Sequence, residues 1–249
     1  MTKTKVGGTK VERPFTFLNL AMTADGKITT ANRKFEAFSS RRDREHMLEL
    51  RVVADAVMAG ARTVDLNPVT MGPGGAQYRR RRLELGLSEY NLRVVVSGSG
   101  TLDPEAKIFE TKFSPIIILT SERAGKNRLQ ALRRRAQDVL ICGESEIDFS
   151  LAMHSLAKKW GVKTLLCEGG GELDGALFHA DLVDEVHLTI CPVIFGGRAA
   201  PTIADGIGQR VLAKATSLVL QSAKRHGGEL FLVYKVDHRP AQATHAKRA

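Results

Sequence analysis

The feature that most constrains the fold is an alternation running through the first two thirds of the chain. Short apolar stretches at residues 15–22, 55–59, 92–97, 116–120, 139–142 and 163–167 read as strands. Between them, residues 40–53, 126–137, 149–160 and 172–180 read as helices. Strands that alternate with helices at this spacing build βαβ units, which impose a mainly parallel sheet covered by helices. Ser40-x-x-Asp43 resembles a capping box at the head of the first helix, with Asp in place of the usual Glu or Gln.

The last third changes character. Residues 186–191, 217–223 and 229–236 are extended, and Gly227-Gly228 supplies a turn between the last two. The expectation is an antiparallel hairpin added to one edge of the parallel sheet. No internal repeat, low-complexity run or Pro/Gly/Ser-rich linker divides the chain. We therefore expect one domain over residues 14–237, with flexible basic tails at 1–13 and 238–249.

Composition narrows the function classes. The 249 residues are 43% hydrophobic and 26% charged, near globular averages, which excludes wholesale disorder and collagen-like structure. Apolar runs such as Ile116-Ile117-Ile118-Leu119 are far shorter than the roughly 20 residues of a membrane span. No apolar stretch follows Met1-Thr2-Lys3-Thr4-Lys5, so no secretory signal is visible and a cytoplasmic setting is expected. The net charge of +10 invites a nucleic-acid reading, but three net positive charges lie in each tail, leaving +4 on the interior. With 3 Tyr and 1 Trp for base stacking, a specific nucleic-acid partner is not expected. The 3 cysteines, Cys142, Cys167 and Cys191, sit in apolar runs and read as buried strand thiols. His187 and Cys191 have strand-face spacing but lack a second ligand pair. With no CxxC or HExxH motif either, no metal site is expected.

The strongest local feature is Leu165-Leu166-Cys167-Glu168-Gly169-Gly170-Gly171-Glu172-Leu173. A strand ends in a carboxylate, and three glycines then enter a helix. Glycines permit close backbone approach, and the first free N–H groups of a helix attract anions, so the turn suits a dinucleotide pyrophosphate. The bland reading is an ordinary Gly-rich connection. Asp174 stands where a third Gly would complete G-x-G-x-x-G, and the turn comes late in the chain, so a standard Rossmann dehydrogenase is disfavoured. Leu18-Asn19-Leu20-Ala21-Met22-Thr23-Ala24-Asp25-Gly26-Lys27 runs a strand into an Asp-Gly turn that presents Lys27, and Gly60-Ala61-Arg62-Thr63-Val64 opens a loop after another strand. Each alone is nonspecific. The Gly196-Gly197 and Pro201 loop is a long connection. The arginine runs 79–82 and 133–135 fan around their helices and read as solvated surface, with a phosphate contact from the first run as the alternative.

Taken in order, these segments resemble the reductase domain of riboflavin biosynthesis. That domain is the C-terminal half of the bacterial bifunctional deaminase–reductase and stands alone as the archaeal and fungal pyrimidine reductase. The carriers span residues 14–236: the 18–28 segment, Glu49-Leu50-Arg51, Gly60-x-x-Thr63-Val64, Leu166-Cys167-Glu168-Gly169-Gly170-Gly171, Leu182-Val183-Asp184-Glu185-Val186, Pro192-Val193-Ile194-Phe195-Gly196-Gly197 and Ala200-Pro201-Thr202-Ile203-Ala204-Asp205-Gly206. The resemblance implies a dihydrofolate-reductase-like α/β fold, a homodimer and NADPH as cofactor. It implies reduction of the ribosyl group of a phosphoribosylaminopyrimidine, in the uracil or 2,5-diaminopyrimidinone form, to ribityl. Carried over by motif, Lys27 and Glu168 handle protons, and Asp25, Arg51 and Glu168 touch substrate, Arg51 through its phosphate. By the same route Ala21, Thr63, Asn67, Ser97, Gly169, Gly170, Gly171, Glu172 and Leu173, and on to Ala176, contact NADPH.

Departures bear on the substrate. Asp65-Leu66-Asn67-Pro68 is one residue shorter than the family pattern, so Asn67 stands near a cofactor-contacting Asp. Met71-Gly72-Pro73-Gly74-Gly75 replaces a stretch that holds an arginine near the substrate phosphate, for which residues 79–82 are candidate substitutes. Phe35 and Ala37 stand where bacterial members have Ser and Trp. These changes keep open a same-fold reductase of a pterin or folate; the basic charge leaves, from a different class, a nucleic-acid-binding protein as the alternative.

Overall fold

The computed structural model describes residues 2–6, 9–34 and 36–238. In chain order the strands are β1 (Thr2–Val6), β2 (Thr9–Arg13), β3 (Phe15–Thr23), β4 (Ala56–Gly60), β5 (Leu92–Val96), β6 (Ile116–Thr120), β7 (Asp138–Ile141), β8 (Thr164–Cys167), β9 (Glu185–Cys191), β10 (Ser217–His226) and β11 (Glu229–Asp237). The helices are α1 (Arg41–Val53), α2 (Ala61–Leu66), α3 (Ala76–Glu84), α4 (Gly125–Arg135), α5 (Phe149–Trp160) and α6 (Gly171–His179).

Nine strands form one sheet in the order β10-β11-β9-β3-β8-β4-β5-β6-β7. Neighbours from β9 to β7 pair in parallel, and β11 joins β9 antiparallel, as the sequence pattern leads one to expect. The β10–β11 hairpin turns at Gly227-Gly228, with His226 paired to Glu229 and Gly227 at φ +59°. Successive strand residues feed opposite faces. Leu18, Met58, Val94 and Ile117 pack on one side with Met153, Leu156 and Leu177 of α5 and α6. Phe17, Val57, Val95 and Ile118 pack on the other with Leu50 of α1, Val64 of α2 and Leu132 of α4. Such strands are apolar on both faces, which is why they read as continuous runs in the sequence.

The connectivity positions the site. The chain builds β4 to β7 outward, then returns to insert β8 between β3 and β4, and places β9 on the far side of β3. The sheet order reverses there, and in open α/β sheets the crevice at the carboxyl ends of strands at such a point holds ligands.

The two ends depart from the tail expectation. β1 and β2 pair as an antiparallel hairpin, β2 packs along α5, and the Glu12 carbonyl lies 3.3 Å from Nδ1 of His154. Arg13, counted by its charge with the tail, is buried and grips the Asp184 carboxylate at 2.6 and 2.9 Å. At the other end His238 meets Asp181 at 2.8 Å. Residues 239–249, the rest of the expected C-terminal tail, lie outside the described residues, as does Phe35.

The basic run on α3 is also not uniformly solvated. Arg82 is 1% exposed. Its Nη1 donates to the carbonyls of Arg51, Val52 and Ala54 at 2.6, 3.2 and 2.6 Å, and its Nε to Ser88. It thereby satisfies carbonyls that the end of α1 leaves without helical partners. Burial lowers its pKa.

Candidate active site

A cavity of about 940 Å³ runs along the carboxyl ends of β3, β8, β4 and β5. Asn19, Leu20 and Ala21 enter it from β3, Ala59 and Gly60 from β4, Ser97 and Gly98 from the end of β5, and Glu168 to Gly171 from the end of β8. Asp43, Arg44, Met47 and Arg51 line the cavity from α1, and Glu172, Leu173 and Ala176 from α6.

At its centre, the guanidinium of Arg51 forks the Glu168 carboxylate. Nε reaches Oε1 and Nη2 reaches Oε2, both at 2.6 Å, while Nη1 donates to the Gly72 carbonyl at 2.6 Å. The side chains are 7% and 13% exposed. The pair is a charge-assisted bidentate bond in a protected setting. Arg51 was expected to hold a substrate phosphate; in this structure it holds Glu168 instead. The Met71–Gly75 stretch that departs from the family pattern supplies, through Gly72, the third partner. None of Arg79, Arg80, Arg81 or Arg82 lines the cavity, so they do not stand in for the missing arginine.

The glycine turn has two jobs. A Cβ on Gly171 would meet the Thr202 carbonyl and Asp205, and one on Gly175 would meet the Asp205 carbonyl. These glycines let the 202–205 loop press onto α6, where the Asp205 N–H donates to the Gly171 carbonyl at 2.8 Å. Gly60 and Gly170 differ. A Cβ on either would meet no neighbour closer than 3.9 and 3.5 Å respectively, yet both line the cavity. Their missing side chains keep the cavity floor open. An open floor beside the first N–H groups of α6 fits a dinucleotide laid over the turn.

Beneath the turn, Asp174 is fully buried. Cys167 Sγ donates to its Oδ1 at 3.4 Å, and its Oδ2 has no partner among the described residues. Burial raises its pKa well above the ordinary carboxylate value, with Asp205 adding to the shift, which favours the neutral acid. It stands where a third motif glycine would be because its side chain points under Gly169, not toward the cavity: its Oδ2 lies 3.1 Å from where a Cβ on Gly169 would sit. Burial likewise pushes the Cys167 thiol well up, that of Cys142 to about 11 and that of Cys191 to about 12. All three cysteines are buried, free thiols.

Most residues carried over by motif meet at this cavity: Ala21, Arg51, Thr63, Asn67, Ser97, Glu168 to Leu173 and Ala176 all line it. Several have their polar groups already engaged. Asn67 Nδ2 closes α2 on the Thr63 carbonyl at 2.6 Å, and Ser97 Oγ bonds the Thr101 carbonyl at 2.8 Å. Glu172 is exposed and pairs with Arg62 at 3.2 Å. Asp25 and Lys27 are not on the cavity lining. The Asp25 carboxylate accepts from Thr23 Oγ1 and from the N–H groups of Phe195 and Gly196, which clamps the 195–197 turn and, through the Thr23 bond first, lowers its pKa. Lys27 forms a bridge with Thr202, and its ammonium donates to the Ala200 carbonyl at 3.1 Å. Its neighbour Ile28 lines the cavity, as does Pro201. The sequence reading missed Asn19 and Asp43; their signal was the strand-then-cap pattern, which said where they are but not what they face.

Comparison with known proteins agrees with this architecture. Residues 14–232 match the model of the RibD C-terminal domain. The 2,5-diamino-6-ribosylamino-4(3H)-pyrimidinone 5′-phosphate reductase of Methanothermobacter thermautotrophicus is 34% identical over 90% of this chain and 99% of its own length. The protein of the same name from Archaeoglobus fulgidus is 32% identical over 78% of this chain and 87% of its own. Among solved structures, a pyrimidine reductase-like protein from Corynebacterium diphtheriae superposes with a TM-score of 0.77 at 22% identity, covering 91% of this chain and 93% of that one. The expected dihydrofolate-reductase-like α/β fold, with its parallel sheet and antiparallel edge, is therefore borne out. On the match over residues 14–232 and the 34% identity to a full-length relative, the chain belongs to the RibD C-terminal domain family.

Proposed function

We propose that the chain is an NADPH-dependent reductase of riboflavin biosynthesis that converts the ribosyl group of a 5-amino-6-(5-phosphoribosylamino)pyrimidine, in the 2,5-diaminopyrimidinone or the uracil form, to ribityl. The observation that carries the reading is the Glu168 carboxylate, fixed by Arg51 beside the open Gly60–Gly170 floor of a cavity large enough for two ligands. The names of the archaeal relatives support the substrate class.

When bound, NADPH supplies a hydride to the sugar carbon. Gly60 and Gly170 would leave room for the nicotinamide, and the N–H groups at the head of α6 would hold the pyrophosphate. Glu168, with one lone pair on each oxygen given to Arg51, accepts a ribose hydroxyl with the others and so orients the sugar. Lys27, released from the Ala200 carbonyl, donates a proton to the ring oxygen as the sugar opens. Asp25 holds the 195–197 turn, and through it the neighbouring loop, in place. The exposed Leu218 and Leu220 on the open edge strand β10 suit a second copy of the chain, in keeping with a cytoplasmic homodimer.

The test is NADPH oxidation with the 2-amino and the deaminated phosphoribosyl pyrimidine in turn, with the product checked by mass for addition of two hydrogens. Turnover with either supports the reading, and Lys27→Met should then bind NADPH and fail to turn over. Turnover with neither overturns it. Turnover with dihydrofolate alone favours a pterin or folate reductase, the reading that the altered 65–75 segment keeps open.

A further inference from the structure

Two loops carry separate parts of the proposed chemistry. The glycine turn at the head of α6 suits a dinucleotide, and the Asp-Gly turn after β3 presents Lys27. A short strap, residues 200–205, lies between them and is tied to both.

On one side the strap holds Lys27. The Ala200 carbonyl takes the Lys27 ammonium at 3.1 Å, and the Pro201 carbonyl takes the Ile28 N–H at 3.0 Å. Lys27 and Thr202 pair as an antiparallel bridge. On the other side the strap holds the glycine turn. The Asp205 N–H donates to the Gly171 carbonyl at 2.8 Å. The Thr202 carbonyl and the Asp205 carboxylate fill the space that a side chain on Gly171 would need. The Asp205 carboxylate joins the two halves. Its Oδ1 accepts from the Thr202 N–H at 3.1 Å and from the Thr202 hydroxyl at 2.6 Å, which closes 202–205 into one turn. A continuous path therefore runs from Gly171 through Asp205 and Thr202 to Lys27. Past Asp205 the chain is exposed from Gly206 to Lys214, so Asp205 is the anchor at that end of the strap. Asp205 and Pro201 also line the cavity.

We infer that Asp205 is a positioning residue, which sets the Lys27 ammonium in register with the glycine turn so that proton donor and dinucleotide share one frame. The inference rests on the reductase reading above. In that reading the hydride goes to a sugar carbon and the proton to the ring oxygen beside it, so the two donors must be held relative to one another. A misplacement of about 1 Å costs on the order of 100-fold in rate. Both Thr202 bonds end on the same carboxylate oxygen. An amide oxygen can take both, so the role needs an acceptor and not a charge.

The full chain tests this with and without turnover. Lys27 and the exposed Lys126 are labelled by reductive methylation and read by mass spectrometry, first without ligand and then with NADP⁺. Asp205→Ala should raise the labelling rate of Lys27 by at least ~3-fold and leave Lys126 unchanged. Asp205→Asn should match the wild type at both lysines. With substrate, Asp205→Ala should lower kcat by at least ~10-fold while KM moves by less than ~3-fold, and Asp205→Asn should restore kcat. Thr202→Val removes the hydroxyl bond alone. It should raise Lys27 labelling by a smaller factor, and it serves as the test if Asp205→Ala does not fold. Unchanged Lys27 labelling in the folded variant overturns the inference, as does a loss in Asp205→Asn as large as that in Asp205→Ala. If the wild type turned over neither pyrimidine, the reductase reading would fall, and the labelling would still decide the link from Asp205 to Lys27.

Discussion

Arg51 and Glu168, 117 residues apart in sequence, meet in a two-pronged ion pair whose N–O distances are both 2.6 Å. The fork aims the carboxylate, and Lys cannot reproduce it. Arg51→Lys should therefore lower kcat/KM by at least ~10-fold. Arg51→Ala should also destabilise the fold by about 3 kcal/mol in urea, because it leaves a protected carboxylate unpaired. A double-mutant cycle with Glu168→Gln should show coupling of ~1 kcal/mol or more. Additive effects would mean the two side chains act separately.

The glycines around the turn should separate in mutagenesis. Gly60→Ala adds a methyl that meets only the cavity, so the thermal midpoint should hold while NADPH affinity falls by at least ~10-fold. Gly175→Ala drives a methyl into the Asp205 backbone and should cost ~1–3 kcal/mol of stability. Calorimetry and thermal melts on the two variants read both effects.

On α3, neighbouring arginines should behave unlike one another. Arg82→Ala removes donors from three carbonyls at the end of α1 and should cost about 2 kcal/mol or more. Arg80→Ala and Arg81→Ala, at exposed positions, should fall within about 0.5 kcal/mol of the wild type. Urea unfolding of the three variants checks the contrast.

Asp174 gives the fold a pH signature. Its folded-state pKa lies above that of an unfolded aspartate, so the folded form keeps a proton that the unfolded chain releases. The contribution of the neutral acid is full below about pH 4 and is lost as pH rises toward the folded value. Asp174→Asn cannot ionise. Its stability relative to the wild type should therefore climb between about pH 4 and pH 8 in urea titrations. A flat difference across that range would mean the acid is ionised in the fold.

Local signals carried the elements well. Ile116–Thr120 and Phe149–Trp160 have the bounds that their apolar pattern gives, and the hairpin turn falls on Gly227-Gly228. What stayed hidden were pairings across the chain. Nothing near Arg51 in sequence says that its partner is Glu168 and not a phosphate. Nothing near Ser40 says that Glu229, on the last strand, completes its cap. The first strands were missed because a polar, basic stretch carries no period-two apolar pattern; Arg13 is instead fastened by the distant Asp184. Lys27 and Asp25 were placed at the site by motif, but their turn spends their polar groups on the 195–202 loop.

The insertion of β8 between β3 and β4 sets the order in which this molecule can become functional. Until residues 164–167 arrive, β3 has no neighbour on its β4 side, and the floor of the cavity does not exist. The same strand delivers Glu168 and the three glycines. A nascent or partly folded chain with β4 to β7 already paired thus holds half a sheet and no place for either ligand. Such long-range closure is slow relative to local pairing. Ligand binding in this fold is then a readout of completed folding, and dinucleotide added during refolding should act only on the last step, when the central strand seats.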